Sequence, residues 1–298
     1  MNGFKTVKEE AKTMPQRLKG KSAVVTGGGD GIGRATALAL AAEGAKVVVN
    51  DIGHDPDGTS KADKVVEEIT KAGGTAVANY DSVATMLGGE NIIKTATSNF
   101  GRIDILVNCA GNFILGPTAD CTEADWDSVI NVHLKGHFSC AQAAIREMIK
   151  QKSGRIINIT SIAAFPSMLG PGPSIAYGTA KAGILGFTKM LSLEMKEHGI
   201  TVNAISPAAT TKLFPNTQRM IGGIQTYAPE FVAPIIVYLA TDEAKDITGQ
   251  IIYSGAGDLC IYSPPMNMPG AHQYIHKMGK WTVDELIEII PRMIAGRI

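Results

Sequence analysis

Neither sign of charge is in excess: lysine plus arginine and aspartate plus glutamate stand at 28 each in 298 residues. The basic surplus of a nucleic-acid binder is absent, and so is the acidic bias of a disordered chain. No apolar run approaches the roughly 18 residues needed to span a bilayer, so no membrane segment is expected. The first 19 residues mix lysines with Glu9 and Glu10 and lack the apolar centre of a secretory signal. Cysteine is scarce. Cys109, Cys121, Cys140 and Cys260 show no CxxC spacing, so they read as free thiols in a reducing compartment, with the cytoplasm as the default. His133/His137 and His272/His276 are each four residues apart, a spacing compatible with metal ligation. No carboxylate stands where it would complete either site, and no metal is expected.

What is plentiful is glycine, 33 residues of it, in a sequence that is 45% hydrophobic. That balance suits a globular protein with many tight turns. Short β-rich runs alternate with helical stretches. Strands are expected at Lys21–Thr26, Lys46–Asn50, Thr75–Asn79, Ile103–Asn108, Arg155–Thr160, Ile200–Ile205 and Gln250–Tyr253. Helices are expected at Arg34–Glu43, Lys61–Ala72, Gly89–Phe100, from a Thr122 capping box to about Gln151, from Tyr177 to Gly199, and at Pro229–Ala240. Such alternation predicts an α/β fold: a single Rossmann-type, doubly wound, seven-stranded parallel sheet with helices on both faces. Residues 1–19 read as a leader, 20–257 as one α/β domain and 258–298 as a C-terminal extension. The extension carries an apolar helical stripe within Trp281–Ile290, suited to packing on the domain or on a neighbouring subunit.

Ligands bind beyond the carboxyl ends of the strands in such sheets, and the chemistry-bearing residues fall there. The first strand runs into Gly27-Gly28-Gly29-Asp30-Gly31-Ile32-Gly33 and then a helix. Glycines let backbone approach a pyrophosphate, and the helix N-terminus offers free N–H groups. The second strand ends at Asp51, where a carboxylate accepts ribose hydroxyls and repels a 2′-phosphate. With no arginine in the glycine loop, NAD is favoured over NADP. Tyr177 and Lys181 lie one turn apart on one helix face. A nearby ammonium favours the phenolate, so the tyrosine pKa is expected to fall below about 10 and to suit acid–base work on an alcohol or ketone.

These motifs resemble the short-chain dehydrogenase/reductase family over roughly residues 20–257. The likeness rests on Thr26-Gly27-x-x-x-Gly31-Ile32-Gly33, Asn108-Cys109-Ala110-Gly111, Asn131, Ser161 and Tyr177-x-x-x-Lys181, in that order. It implies a catalytic set of Asn131, Ser161, Tyr177 and Lys181. Tyr177 would be the general acid/base and Ser161 a hydrogen-bond partner of the substrate oxygen. Lys181 would hold the nicotinamide ribose, and Asn131 a water linking Lys181 to solvent. The cofactor would also meet Gly27, Asp30, Gly31, Ile32, Gly33, Asp51, Asp81, Ser82, Asn108, Ala110, Gly111, Pro207 and Thr210. Segments Val47–Gly53, Ala62–Ile69 and Ala76–Val83 most resemble (3R)-hydroxyacyl-CoA dehydrogenase-like members, and the resemblance implies a homodimer or homotetramer.

The sequence departs from the family pattern in three places. Ser161 and Tyr177 are 16 residues apart, with a Pro/Gly-rich insertion at 165–173; Pro207 is followed by Ala208 where the family has glycine; and about 40 residues follow Gly257. Residues 208–228 carry Leu213, Phe214, Pro215, Met220, Ile221 and Tyr227 and read as an apolar lid. The expected activity is NAD-dependent interconversion of a secondary alcohol and a ketone. The substrate would be a hydrophobic hydroxyacyl-CoA or an alicyclic or steroid-like alcohol. A non-catalytic NAD-binding sensor or scaffold and an enoyl-CoA-type reductase are the alternatives.

Overall fold

A computed structural model of the chain describes residues 16–165, 174–214, 227–262 and 273–295. The expected leader up to residue 15, the insertion at 166–173, residues 215–226 of the lid and His272 lie outside the described residues. Strands β1 (Ser22–Thr26), β2 (Lys46–Asn50), β3 (Thr75–Asn79), β4 (Ile105–Asn108), β5 (Gly154–Ile159), β6 (Ile200–Pro207) and β7 (Ile251–Gly255) run parallel. Two antiparallel strands, β8 (Asp258–Ile261) and β9 (Gln273–His276), follow, giving the order β3-β2-β1-β4-β5-β6-β7-β8-β9.

The sheet therefore has nine strands, a correction to the expected seven, and the last two are antiparallel. β7 turns into β8 through Ala256 (φ 50°) and Gly257 (φ 88°). Two positive φ values in a two-residue loop make a primed hairpin turn, whose twist matches that of the strands. Its usual marks are Asn-Gly or Asp-Gly; alanine in the first position hides it.

The helices are α1 (Gly31–Ala42), α2 (Lys61–Lys71), α3 (Met86–Phe100), α4 (Glu123–Ile130), α5 (Gly136–Gln151), α6 (Ile175–Met195), α7 (Ala233–Ala240) and α8 (Val283–Ile294). The pleat of β1 divides the core. Ala23 and Val25 join one cluster with residues of α1, α2, α7 and α8, while Val24 joins another with residues of α3, α5 and α6. Burial on both faces is why the central strands read as continuous apolar runs. The long helical stretch after Thr122 is interrupted by one π-helical turn, Asn131–Lys135, between α4 and α5.

The extension is anchored to this framework. Thr282 and Glu285 form a capping box at the start of α8. Leu286, Ile290 and Met293, on one helical stripe, are 0–1% exposed and join the cluster containing α7. Trp281 donates its indole N–H to the Gly257 carbonyl, tying the helix to the hairpin turn. Leu286→Ala should lower stability by about 2–5 kcal/mol, the range for truncating a fully buried leucine. Urea unfolding measures it; a loss under about 1 kcal/mol would show that this helix contributes little to the core.

Candidate active site

The glycine loop is held by its neighbours. Thr26 Oγ1 accepts from the Cys109 N–H (3.0 Å) and the Ala110 N–H (3.1 Å), joining the carboxyl ends of β1 and β4. A side chain on Gly27 would put Cβ 2.8 Å from Ala110 Cα, and one on Gly33 would collide with the Gly27 carbonyl oxygen. Both positions need glycine for close backbone approach. Asp30 caps α1 by accepting from the Gly31 N–H at 2.8 Å. Asp51, at the end of β2, accepts from the Gly29 N–H (3.0 Å) and the Gly53 N–H (2.7 Å).

On the other side, β5 delivers Ser161 and α6 delivers Tyr177 and Lys181. Ser161 caps a single 3-10 turn, accepting from the Ala163 N–H at 3.1 Å. Ser174 caps α6, accepting from the Tyr177 N–H at 3.3 Å, which sets where the tyrosine enters the first helical turn. Lys181 Nζ lies 5.5 Å from the Tyr177 ring centroid and donates to the Ile159 carbonyl at 2.7 Å. Phe113 meets Tyr177 edge-on at 4.9 Å, His133 does so at 5.2 Å, and Phe214 tilts over it at 5.7 Å.

This enclosure reverses the expected direction of the tyrosine shift. Burial pushes the Tyr177 hydroxyl up to about 12, and the Ser161 side chain offsets only part of that. Lys181 is itself pulled down to about 8 by burial. The ammonium is directed at a backbone carbonyl and the phenol is walled by three rings, so the cost of desolvating a phenolate dominates. His133 and His137, considered from their spacing as ligands, are 1% and 2% exposed. Burial, then the charge of Lys181, lowers both; His137 falls to about 3. His133 Nε2 lies against the backbone of Asn112, 3.1 Å from its N and 2.8 Å from its O.

One cleft of about 1050 Å³ joins the two halves. It is lined by Gly27, Asp30, Gly31, Ile32, Gly33 and Asp51 at one end and by Ser161, Tyr177 and Lys181 at the other, with Gly111 and Pro207 between. The remaining expected residues stand behind or beside it. Asp81, beyond β3, accepts from the side-chain amides of Asn79 (2.8 Å) and Asn91 (2.9 Å), and Ser82 accepts from the Ala84 N–H. Asn108 is fully buried and donates to Asn158 at 3.0 Å, bracing β4 against β5. Ala110 is engaged through its backbone with Thr26, and Asn131 opens the π-helical turn. Thr210 donates its N–H to the Tyr227 carbonyl at 2.6 Å, fastening the segment after β6. Lys212, within the expected lid, lines the cleft, and so do Lys61 and His133, which sequence reasoning did not place there. Their separations from Asp51 and Tyr177 in the chain carry no motif; only folding brings them in.

The profile of the family described as short chain dehydrogenase matches residues 21–219. The chain is 43% identical over 240 residues to a 3-oxoacyl-[acyl-carrier-protein] reductase of Synechocystis, covering 78% of this chain and 94% of that protein. It is 42% identical over 247 residues to the peroxisomal multifunctional enzyme type 2 of Drosophila melanogaster, covering 81% of this chain but only 40% of that longer protein. A crystal structure of a short chain dehydrogenase from Mycobacterium avium superposes with a TM-score of 0.74 at 39% identity, covering 94% of this chain and 96% of the other. Members of this family are oxidoreductases that use a nicotinamide cofactor, NAD or NADP. With its glycine loop, serine, tyrosine and lysine gathered around one cleft, the chain belongs to the short-chain dehydrogenase family.

Proposed function

We propose that this protein is an NAD-dependent dehydrogenase that interconverts a secondary alcohol and a ketone, with a hydrophobic hydroxyacyl thioester as substrate. The observation that carries this reading is the single cleft running from Asp51 and the glycine loop to Ser161, Tyr177 and Lys181. The residues fit a dinucleotide. The loop is closed to side chains at Gly27 and Gly33 and open to a pyrophosphate, with the α1 N-terminus beside it. Asp51 sits where it would take the adenine ribose hydroxyls, which supports NAD. When bound, the nicotinamide supplies or accepts the hydride.

The chain's own part is to hold the substrate oxygen and move its proton. Tyr177 gives a proton to that oxygen in reduction and takes it in oxidation, while Ser161 donates a hydrogen bond to the charge that develops there. Phe113, His133 and Phe214 keep water from the tyrosine. Lys181 would hold the nicotinamide ribose, and Asn131 would link Lys181 to solvent. Asp81, Ser82, Asn108, Ala110 and Thr210 would support the cofactor from outside the cleft lining.

The thioester is favoured by the Synechocystis relative, named for an acyl-carrier substrate, and by apolar lining from Phe113, Ile162, Leu213 and Phe214. Residues 20–257 form the catalytic domain in this reading, with α8 of the extension packed upon it. Exposed Phe138 on α5 and Met190 and Leu193 on α6 are apolar faces for a homodimer or homotetramer to cover. Among the described residues no helix is long and apolar enough to cross a membrane, and the four free cysteines favour the cytoplasm.

The test is a panel of (3R)- and (3S)-hydroxyacyl-CoA thioesters and alicyclic alcohols offered with NAD, followed by NADH absorbance. NADH formed fastest from a hydroxyacyl thioester is the expected result. Formation only from alicyclic alcohols would replace the substrate, and no NADH from any of them would end the reading.

A further inference from the structure

The C-terminal extension reaches the back of the substrate end of the cleft. Ser161 opens a single 3-10 turn: its Oγ accepts from the Ala163 N–H and its carbonyl from the Ala164 N–H at 3.0 Å. The Phe165 N–H closes the turn on the Ile162 carbonyl at 2.9 Å. Pro166 comes next and has no N–H with which to extend it. A turn this short and this poorly bonded takes its position from its neighbours. One neighbour is α6, where a Cβ on Gly178 would lie 3.4 Å from the Ala163 carbonyl oxygen. Another is Tyr262, the residue that follows β8. Phe165 stacks on it with ring centroids 4.5 Å apart and planes tilted by 37°. The two residues are 3% and 4% exposed.

Tyr262 is itself fixed, because its N–H donates to the Ile251 carbonyl at the start of β7 at 3.0 Å. It shares an apolar cluster with Ala164, Phe165 and Ala208, against which Ile162 packs. Ile162, Ala164 and Ala208 line the cleft, and the Phe165–Tyr262 pair stands behind them. The turn thus carries a reactive hydroxyl on its cleft side and an aromatic anchor at its far end. The Ser161 side chain also faces the Tyr177 hydroxyl and offsets part of its upward shift. A donor in that place must be aimed closely, since a displacement of about 1 Å costs on the order of 10²-fold in rate.

We propose that Tyr262 is a positioning residue for the reaction: by packing on Phe165 it holds the serine turn and so aims the Ser161 hydroxyl at the substrate oxygen. The inference rests on the reading of Ser161 as the donor to that oxygen. It gives the start of the extension a part in turnover, separate from the packing of α8 on the core.

The test is a double-mutant cycle between Tyr262→Leu and Ser161→Ala in the full chain, assayed with NAD and the fastest substrate of the panel above. Ser161→Ala lowers kcat by about 10²-fold, the loss typical of one donor to a developing oxyanion. Tyr262→Leu lowers kcat by about tenfold through misaimed geometry, while NADH binding read by fluorescence stays close to wild type. In the Ser161→Ala background the same change costs less than about twofold more, because it acts through a group already lost. Tyr262→Phe, which keeps the ring, stays within about twofold of wild type. Tyr262→Leu also moves the pH midpoint of alcohol oxidation upward, in the same direction as Ser161→Ala, since the serine lowers Tyr177. Leu286→Ala, which loosens the core elsewhere, leaves that midpoint where it was. If Tyr262→Leu does not fold, Phe165→Leu breaks the same contact from the other ring and carries the same expectations.

Three results overturn the inference alone: Tyr262→Leu within about twofold of wild type, equal losses in both Ser161 backgrounds, or Tyr262→Phe as impaired as Tyr262→Leu. Wild-type turnover by Ser161→Ala overturns the serine assignment and the inference with it. No turnover by wild type on any substrate of the panel ends the dehydrogenase reading as well.

Discussion

Tyr177→Phe is expected to lower kcat/KM by about 10²–10⁴-fold, the share usually supplied by a positioned acid–base group, while NADH binding stays close to wild type. The substitution is almost purely chemical. Phenylalanine keeps the ring that Phe113, His133 and Phe214 pack against, so the walls of the cleft retain their contacts and only the hydroxyl is lost. The pH profile carries the same assignment. Burial holds the phenolic proton up to about 12, with Lys181 pulled down to about 8. Tyr177 therefore carries its proton at neutral pH, ready to donate it in ketone reduction, whereas alcohol oxidation needs that proton gone. Oxidation should rise as pH rises above neutrality, and reduction should be at its best near neutrality. A Phe variant within threefold of wild type, or oxidation falling as pH rises from 7 to 9, would remove Tyr177 from the acid–base role.

Acid should destabilise the fold steeply, through His133 and His137. Both rings are buried and neutral, held far below the ordinary histidine value by burial and then by the charge of Lys181. In the unfolded chain they take up protons near pH 6.5. A depressed folded pKa means that the unfolded state binds more protons below that point. Stability is therefore fully present above about 6.5 and is lost as pH falls, toward about 3 for His137. Two such groups cost up to about 2.7 kcal/mol per pH unit, and about 4 kcal/mol between pH 7 and 5. A domain of ordinary stability holds only about 5–15 kcal/mol. Urea unfolding at the two pH values measures the loss, and His137→Leu should remove about half of its pH dependence. A difference below about 1 kcal/mol would mean that the rings protonate without unfolding the chain.

Much of the architecture could be read from local pattern. Buried parallel strands appear as short runs of valine and isoleucine, such as Val47–Val49, because both faces of the sheet are covered. Thr85 and Ser174 fix the starts of α3 and α6 a little earlier than the apolar periodicity suggested, as side-chain caps do. The π-helical turn at Asn131 has no comparable mark; a single displaced backbone hydrogen bond leaves residue types unchanged.

The glycine loop, the end-of-strand Asp51 and the helical pairing of Tyr177 with Lys181 were visible in the residue order. Each depends on conformations that one strand, one turn or one helix imposes within a few residues. The ninth strand and the engagement of Lys181 with Ile159 were not. Those features join residues from distant parts of the chain. The upward shift of Tyr177 belongs with them, because a pKa answers to every wall around the group, and three of those walls come from other elements. Local geometry named the chemical groups; the solvent they lose and the partners they gain on folding set their charge.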